Sequence, residues 1–138
     1  VASRFLIESR PSRFIVGMAL GWDTAVAIAC VRNGIPFVAA VPFEGQERSW
    51  PRDSQERYRF LLAHAERVHV VCTIAPEYMD RTWWVADAMT ARNAWMVDNC
   101  DAVAALWDGS DRGGTANCVR YARSAGKPVT NLWAKFVG

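Results

Sequence analysis

The sequence predicts an α/β protein, a three-layer sandwich built on a mostly parallel sheet of about five strands. Short apolar runs recur at 14–16, 35–41, 68–72, 102–107 and 129–132. Stretches of helical character separate them, so successive strands are joined by crossovers and run parallel. The loops after the first four runs hold most of the Gly, Asp and Gln that no helix or strand needs. They leave from the strand ends where such sheets bind ligands.

Residues 2–8 read as a helix, stopped by Arg10-Pro11-Ser12. Phe14-Ile15-Val16 is a short buried strand ending at Gly17. Asp23 is placed to cap a helix over 24–32, which Asn33-Gly34 terminates. The second strand ends at Pro42, and a polar loop with Phe43 and Trp50 follows. Asp53 with Glu56 has capping-box spacing for a helix over 54–67, with Phe60, Leu61 and Leu62 as its apolar face. After the third strand and a loop over 73–79, a long helix is expected from about 80 to 99. Trp84, Ala88, Ala91 and Trp95 mark its apolar side, off which Arg92 and Asn93 fall. The fourth strand leads through a glycine-rich loop into a helix over 115–125. Gly126 and Pro128 close that helix, and the fifth strand follows.

Bulk properties narrow the function classes. The 138 residues suffice for one domain with a single core. A net charge of +2 carries no global footprint for nucleic acid or an anionic membrane. Cys30, Cys72, Cys100 and Cys118 form no C-x-x-C pair, and His64 and His69 lack ligand spacing, so neither metal nor cofactor is expected. With no run of about 18 apolar residues and no signal peptide, a cytoplasmic protein without a membrane segment is expected.

The stretch that carries chemistry is Asp108-Gly109-Ser110-Asp111-Arg112-Gly113-Gly114-Thr115-Ala116-Asn117, between a strand and a helix start. Glycines allow close backbone approach, and the first N–H groups of a helix lack intrahelical partners. Together with the helix dipole they suit an anion, most often a phosphate. An ordinary tight turn has the same local sequence.

Four blocks occur in order: Gly17-Met18-Ala19-Leu20-Gly21-Trp22-Asp23, Pro42-Phe43-Glu44-Gly45-Gln46, Arg92-Asn93-Ala94-Trp95-Met96-Val97-Asp98 and Gly113-Gly114-Thr115-Ala116-Asn117. Together they resemble the YpsA-like branch of the SLOG superfamily over about 17–132. The resemblance implies a Rossmann-like nucleotide-binding fold, with phosphate at Gly113-Gly114-Thr115 and a charge-assisted contact from Arg92. Asp108 and Gly109 belong to the same loop, and Asn117 or Asp108 would meet a ribose. Gly17, Gly21, Asp23, Phe43 and Gln46 would add further ligand contacts, and Trp22, Phe43 or Trp50 would stack on a base. Members of this branch begin with a strand and a Gly-His-Arg-type loop that nothing in 1–11 matches. Either the chain is shortened at its N-terminus or its pocket lacks one wall.

Three functions stay open. A nucleotide sensor or carrier is the first. The second is an N-glycosidase resembling the phosphoribohydrolases of the superfamily, in which an Arg and a Glu act together at the ribose. Arg92 matches the Arg, but Asn117 stands where the Glu is expected. An amide cannot stabilise an oxocarbenium ion by charge or serve as a base. Glu44 or Asp98, or failing these Asp23, would then have to supply the carboxylate. The third is a single-stranded DNA binder, resembling DNA-processing protein A in its Gly17–Asp23 turn. Self-association through the helix at 80–99 is also expected.

Overall fold

The apolar runs fold as strands, and every strand pair among the described residues is parallel. A computed structural model describes residues 1–73, 77 and 81–137. In order the chain forms α1 (Ala2–Ser9), β1 (Phe14–Val16), α2 (Trp22–Asn33), β2 (Phe37–Val41), a 3-10 turn (Gln46–Ser49), α3 (Arg52–His64) and β3 (Arg67–Val70). There follow α4 (Thr82–Asp98), β4 (Val103–Ala105), α5 (Gly114–Ser124), β5 (Val129–Asn131) and α6 (Trp133–Val137). The class is α/β and Rossmann-like, as predicted. Among the described residues, five strands are divided between a three-stranded sheet, in the order β1-β2-β3, and a two-stranded sheet of β4 and β5. Residues 2–74 form one compact unit, and residues 75–138 with Val1 form the other.

In residues 2–74, β2 is buried at all five positions and is flanked by the other two strands. Phe14 pairs with Phe37, and Val38 with Arg67. Leu6 of α1, Ala27 and Cys30 of α2, Phe37 of β2 and Leu61 of α3 meet in one apolar cluster. Burial pushes the Cys30 thiol up to about 11. An exposed bidentate ion pair, Arg13 to Glu66 with both contacts at 2.7 Å, ties the approach to β1 to that of β3.

Two expected caps are absent, each for a backbone reason. α2 starts at Trp22 behind Gly21, whose φ of 88° and ψ of −118° suit glycine. Asp23 is thus inside the first turn, and its Oδ2 accepts from the Ala19 N–H at 3.1 Å, bracing the preceding loop. α3 starts at Arg52, because Pro51 holds φ at −56° just ahead of it and needs no N–H. Asp53 is again a first-turn residue favoured by the helix dipole, and Glu56 pairs with Arg52 at 3.4 Å. The buried face of α3 is Tyr58 and Leu61, whereas Phe60 is 54% exposed.

In residues 75–138, Val103, Ala104 and Ala105 of β4 pair with Val129, Thr130 and Asn131 of β5. α5 buries Ala116, Val119 and Ala122 at helical spacing. Its end is closed by Gly126, at φ 75°, with the Lys127 N–H donating to Ala122 O at 2.9 Å. α4 buries Ala88, Arg92, Asn93 and Val97. Arg92 and Asn93 therefore lie on its inner face, contrary to expectation. The loop expected at 73–79 and the first residue of the expected long helix lie mostly outside the described residues. α6 was not anticipated. No helix among the described residues is long and apolar enough to cross a membrane.

Candidate functional site: the β4–α5 hollow

The loop after β4 builds itself from short polar side chains. The Ser110 N–H donates to Asp108 Oδ1 at 2.9 Å, and the Arg112 N–H donates to Ser110 Oγ at 3.1 Å. These side-chain-to-backbone bonds replace the ladder that ends at Ala105. Trp107 is fixed on three sides. Its Nε1 donates to Ser110 O at 2.8 Å, and the Arg123 guanidinium lies 5.3 Å from its ring centre. Its backbone is gripped by the Asn131 amide, which donates to Trp107 O at 2.9 Å and accepts from its N–H at 3.1 Å. Asn131 thus extends the β4–β5 pairing by one rung, and its Oδ1 also receives the Trp133 N–H at 3.1 Å.

Between this loop and the start of α6 lies a hollow of about 240 Å³. Leu106, Trp107, Asp108, Ser110 and Arg112 of the loop, the turn Gly113-Gly114-Thr115 and Trp133 line it. Gly113 precedes α5 at φ 96° and ψ 173°, a conformation essentially confined to glycine. No side chain caps α5, so its first N–H groups remain for solvent or a ligand. Gly114 differs. It has no positive φ, and a Cβ there would meet nothing within 4 Å. Neither conformation nor packing requires glycine at this helical position, where alanine would be the better helix former.

Behind the turn, side chains tie α4 to α5. Asn93 Nδ2 donates to Gly114 O at 3.1 Å and to Asn117 Oδ1 at 3.2 Å, while Asn93 Oδ1 accepts from Arg92 Nε at 3.0 Å. Arg92 is 6% exposed, and its Nη2 also lies 3.7 Å from Met89 Sδ. A buried guanidinium is thereby coupled through one amide to the start of α5. Its charge has the same sign as the positive end of that helix dipole.

Of the residues singled out in the sequence, Asp108, Gly113, Gly114 and Thr115 line the hollow. Arg92 and Asn117 stand behind it through Asn93, and Gly109 is part of the loop, at φ 89°. Asp98 is elsewhere: it accepts from Tyr121 Oη at 2.7 Å, two turns along α5 from Gly114. That bond pushes the Tyr121 phenol upward. Trp107, Ser110, Arg112, Asn131 and Trp133 were not named as site residues. The available signal was an amide and an indole at the end of a strand, where a buried sheet would carry apolar side chains.

The remaining candidates belong to residues 2–74. Gly17 and Gly21 bound the loop after β1, in which Met18 adopts φ 61°. Gln46 is buried and donates through Nε2 to Met18 O at 3.1 Å and Tyr58 Oη at 3.2 Å. Its Oε1 has no partner among the described residues. Phe43 is buried, and Glu44 is exposed. Trp22 and Trp50 pack against the apolar cluster, Trp50 edge-on to Tyr58 at 5.2 Å. Of the three aromatics that the sequence offers as base-stacking platforms, Phe43 is buried and Trp22 and Trp50 are partly buried.

No protein-family model matches the chain. It is 31% identical over 137 residues to an uncharacterized SPbeta prophage-derived protein, YoqJ, of Bacillus subtilis (strain 168), covering 89% of this chain and 76% of that protein. A UPF0398 protein of Shouchella clausii (strain KSM-K16) is 27% identical over 116 residues, 80% of this chain and 58% of the relative. A UPF0398 protein of Bacillus cereus (strain B4264) is 25% identical over 96 residues, 70% of this chain and 48% of the relative. The chain thus spans only about half the length of the UPF0398 proteins that it matches.

Proposed function

This chain belongs to the family of the prophage-derived protein YoqJ and is related to the UPF0398 proteins, and from that premise we propose that it binds a nucleotide or nucleotide derivative as a sensor or carrier. The phosphate sits at Gly113-Gly114-Thr115, against the first N–H groups of α5 and the Thr115 hydroxyl. The observation that carries this reading is the hollow itself, which opens at an uncapped helix start beyond a parallel strand. Gly114 supports it. The Cβ of a helical residue leans toward the helix N-terminus, so any side chain there would crowd an arriving phosphate, whereas glycine leaves the approach open. The ordered resemblance to the SLOG superfamily points to the same ligand class.

Arg92 adds positive charge behind the turn, held in place by Asn93. A carrier or sensor is favoured over an N-glycosidase because Asn117 stands where the Glu is expected, and Asp98, a carboxylate that could replace it, is bonded to Tyr121 two turns along α5 from Gly114.

Calorimetric titration against AMP, ADP-ribose, NAD and a cyclic nucleotide tests the reading. At least one should bind, and Gly114→Ala should weaken that ligand at least tenfold while leaving the unfolding midpoint unchanged or higher. Absence of binding by the whole set, or full affinity in the variant, would contradict it.

A further inference from the structure

Building on that phosphate reading, we infer that the hollow also contains a base subsite: the indole of Trp133 receives the flat ring of a nucleoside monophosphate whose phosphate rests on the α5 turn. Trp107 and Trp133 border the same hollow as Gly113, Gly114 and Thr115, and their indoles differ in how they are held. Trp107 is committed, with its N–H given to Ser110 O and the Arg123 guanidinium over its ring. It serves as a rigid wall. Trp133 is anchored through its backbone N–H to Asn131, and its ring is backed by Phe136 at 5.5 Å with a 38° tilt. Its indole is half-buried rather than packed into a core.

An aromatic ring beside a set of free backbone N–H groups offers two unlike surfaces within one small concavity. Ligands that satisfy both have a π-face and an anionic group a few bonds apart. Size sets the class further. Pockets that enclose drug-sized ligands run from about 300 to 1,000 Å³. A hollow of about 240 Å³ falls just below that range, which suits one base, ribose and phosphate lying partly in solvent. A dinucleotide would extend well beyond it. The Asn131 clamp fixes the spacing, since the same amide oxygen receives the N–H groups of both Trp107 and Trp133.

Titrations of the full chain with AMP, NAD and ribose 5-phosphate, on the wild type, Trp133→Ala and Trp133→Phe, separate this inference from the phosphate reading. The expected pattern is AMP about tenfold tighter than ribose 5-phosphate, with no further gain for NAD. Trp133→Ala should lose that tenfold preference while holding ribose 5-phosphate as well as the wild type does, and Trp133→Phe should keep most of it. Equal affinity of the wild type for AMP and ribose 5-phosphate would overturn the base subsite and leave the phosphate site standing. So would an undiminished AMP preference in Trp133→Ala. Failure of all three compounds to bind the wild type would overturn both. Should Trp133→Ala fail to fold, the wild-type comparison and Trp133→Phe decide the matter.

Discussion

In residues 2–74 cohesion is apolar: Leu6, Phe37 and Leu61 are each about 1% exposed and meet in one cluster around a fully buried central strand. In residues 75–138 the buried face of α5 is made of small side chains, Ala116, Val119 and Ala122, with Val97 and Leu132 also buried. There the elements are also stitched by amides, Asn93 joining α4 to α5 and Asn131 joining the ends of β4 and β5. The contrast has a functional meaning. Large apolar side chains fill space and leave no opening, whereas hydrogen-bonded amides can hold two elements at a set distance beside an open hollow. In the half that carries the hollow, such amides join the very elements that border it: Asn93 holds the start of α5, and Asn131 holds Trp107 and Trp133.

The largest expected effect lies in the apolar half. Phe37→Ala should cost about 3–5 kcal/mol, read as a lower urea midpoint, because it empties the centre of the packed cluster. Asn93→Ala should cost less, about 1–3 kcal/mol, since it strips the Arg92 Nε of its acceptor and frees the Gly114 carbonyl. Unlike Phe37→Ala, it should also reduce phosphate affinity measured well below the unfolding midpoint. If Asn93→Ala leaves both stability and affinity untouched, the stitched half is held by packing after all and the contrast disappears.

The smallest effect is electrostatic. Glu66 is held below the usual carboxylate range by its bond to Arg13. A folded-state pKa below the unfolded one means stability that is present above the ordinary carboxylate value and lost as pH falls through the lowered one. Both side chains are exposed, so the gain is small and screened by salt. Glu66→Gln should leave the melting temperature nearly unchanged at pH 7 and flatten its decline as pH falls below the ordinary glutamate range. A parallel decline in the wild type and the variant would remove the pair from the account.

The two halves also differ in how legible they were. Periodicity and punctuation located β1 at its observed residues, the close of α2 at Gly34 and that of α5 around Gly126, because apolar runs and glycine stops act locally. Caps were misread where a neighbouring Gly21 or Pro51 started the helix sooner and drew Asp23 and Asp53 into its first turn. Helical patterning assigns polar residues outward, and so places Arg92 and Asn93 off the buried face. Here they face inward to bond each other and the start of α5. The glycine turn announced itself in the sequence. The walls of its hollow did not, since Asn131 and Trp133 act across β4 and β5, and no spacing rule links them to residue 107.

Backbone amide chemical shifts of 15N-labelled protein titrated with ribose 5-phosphate test the central claim most directly. The account predicts saturable shifts largest at Gly113, Gly114 and Thr115, with smaller ones at Asn93. Shifts absent there, or concentrated at the loop after β1 around Met18 and Gly21, would contradict it.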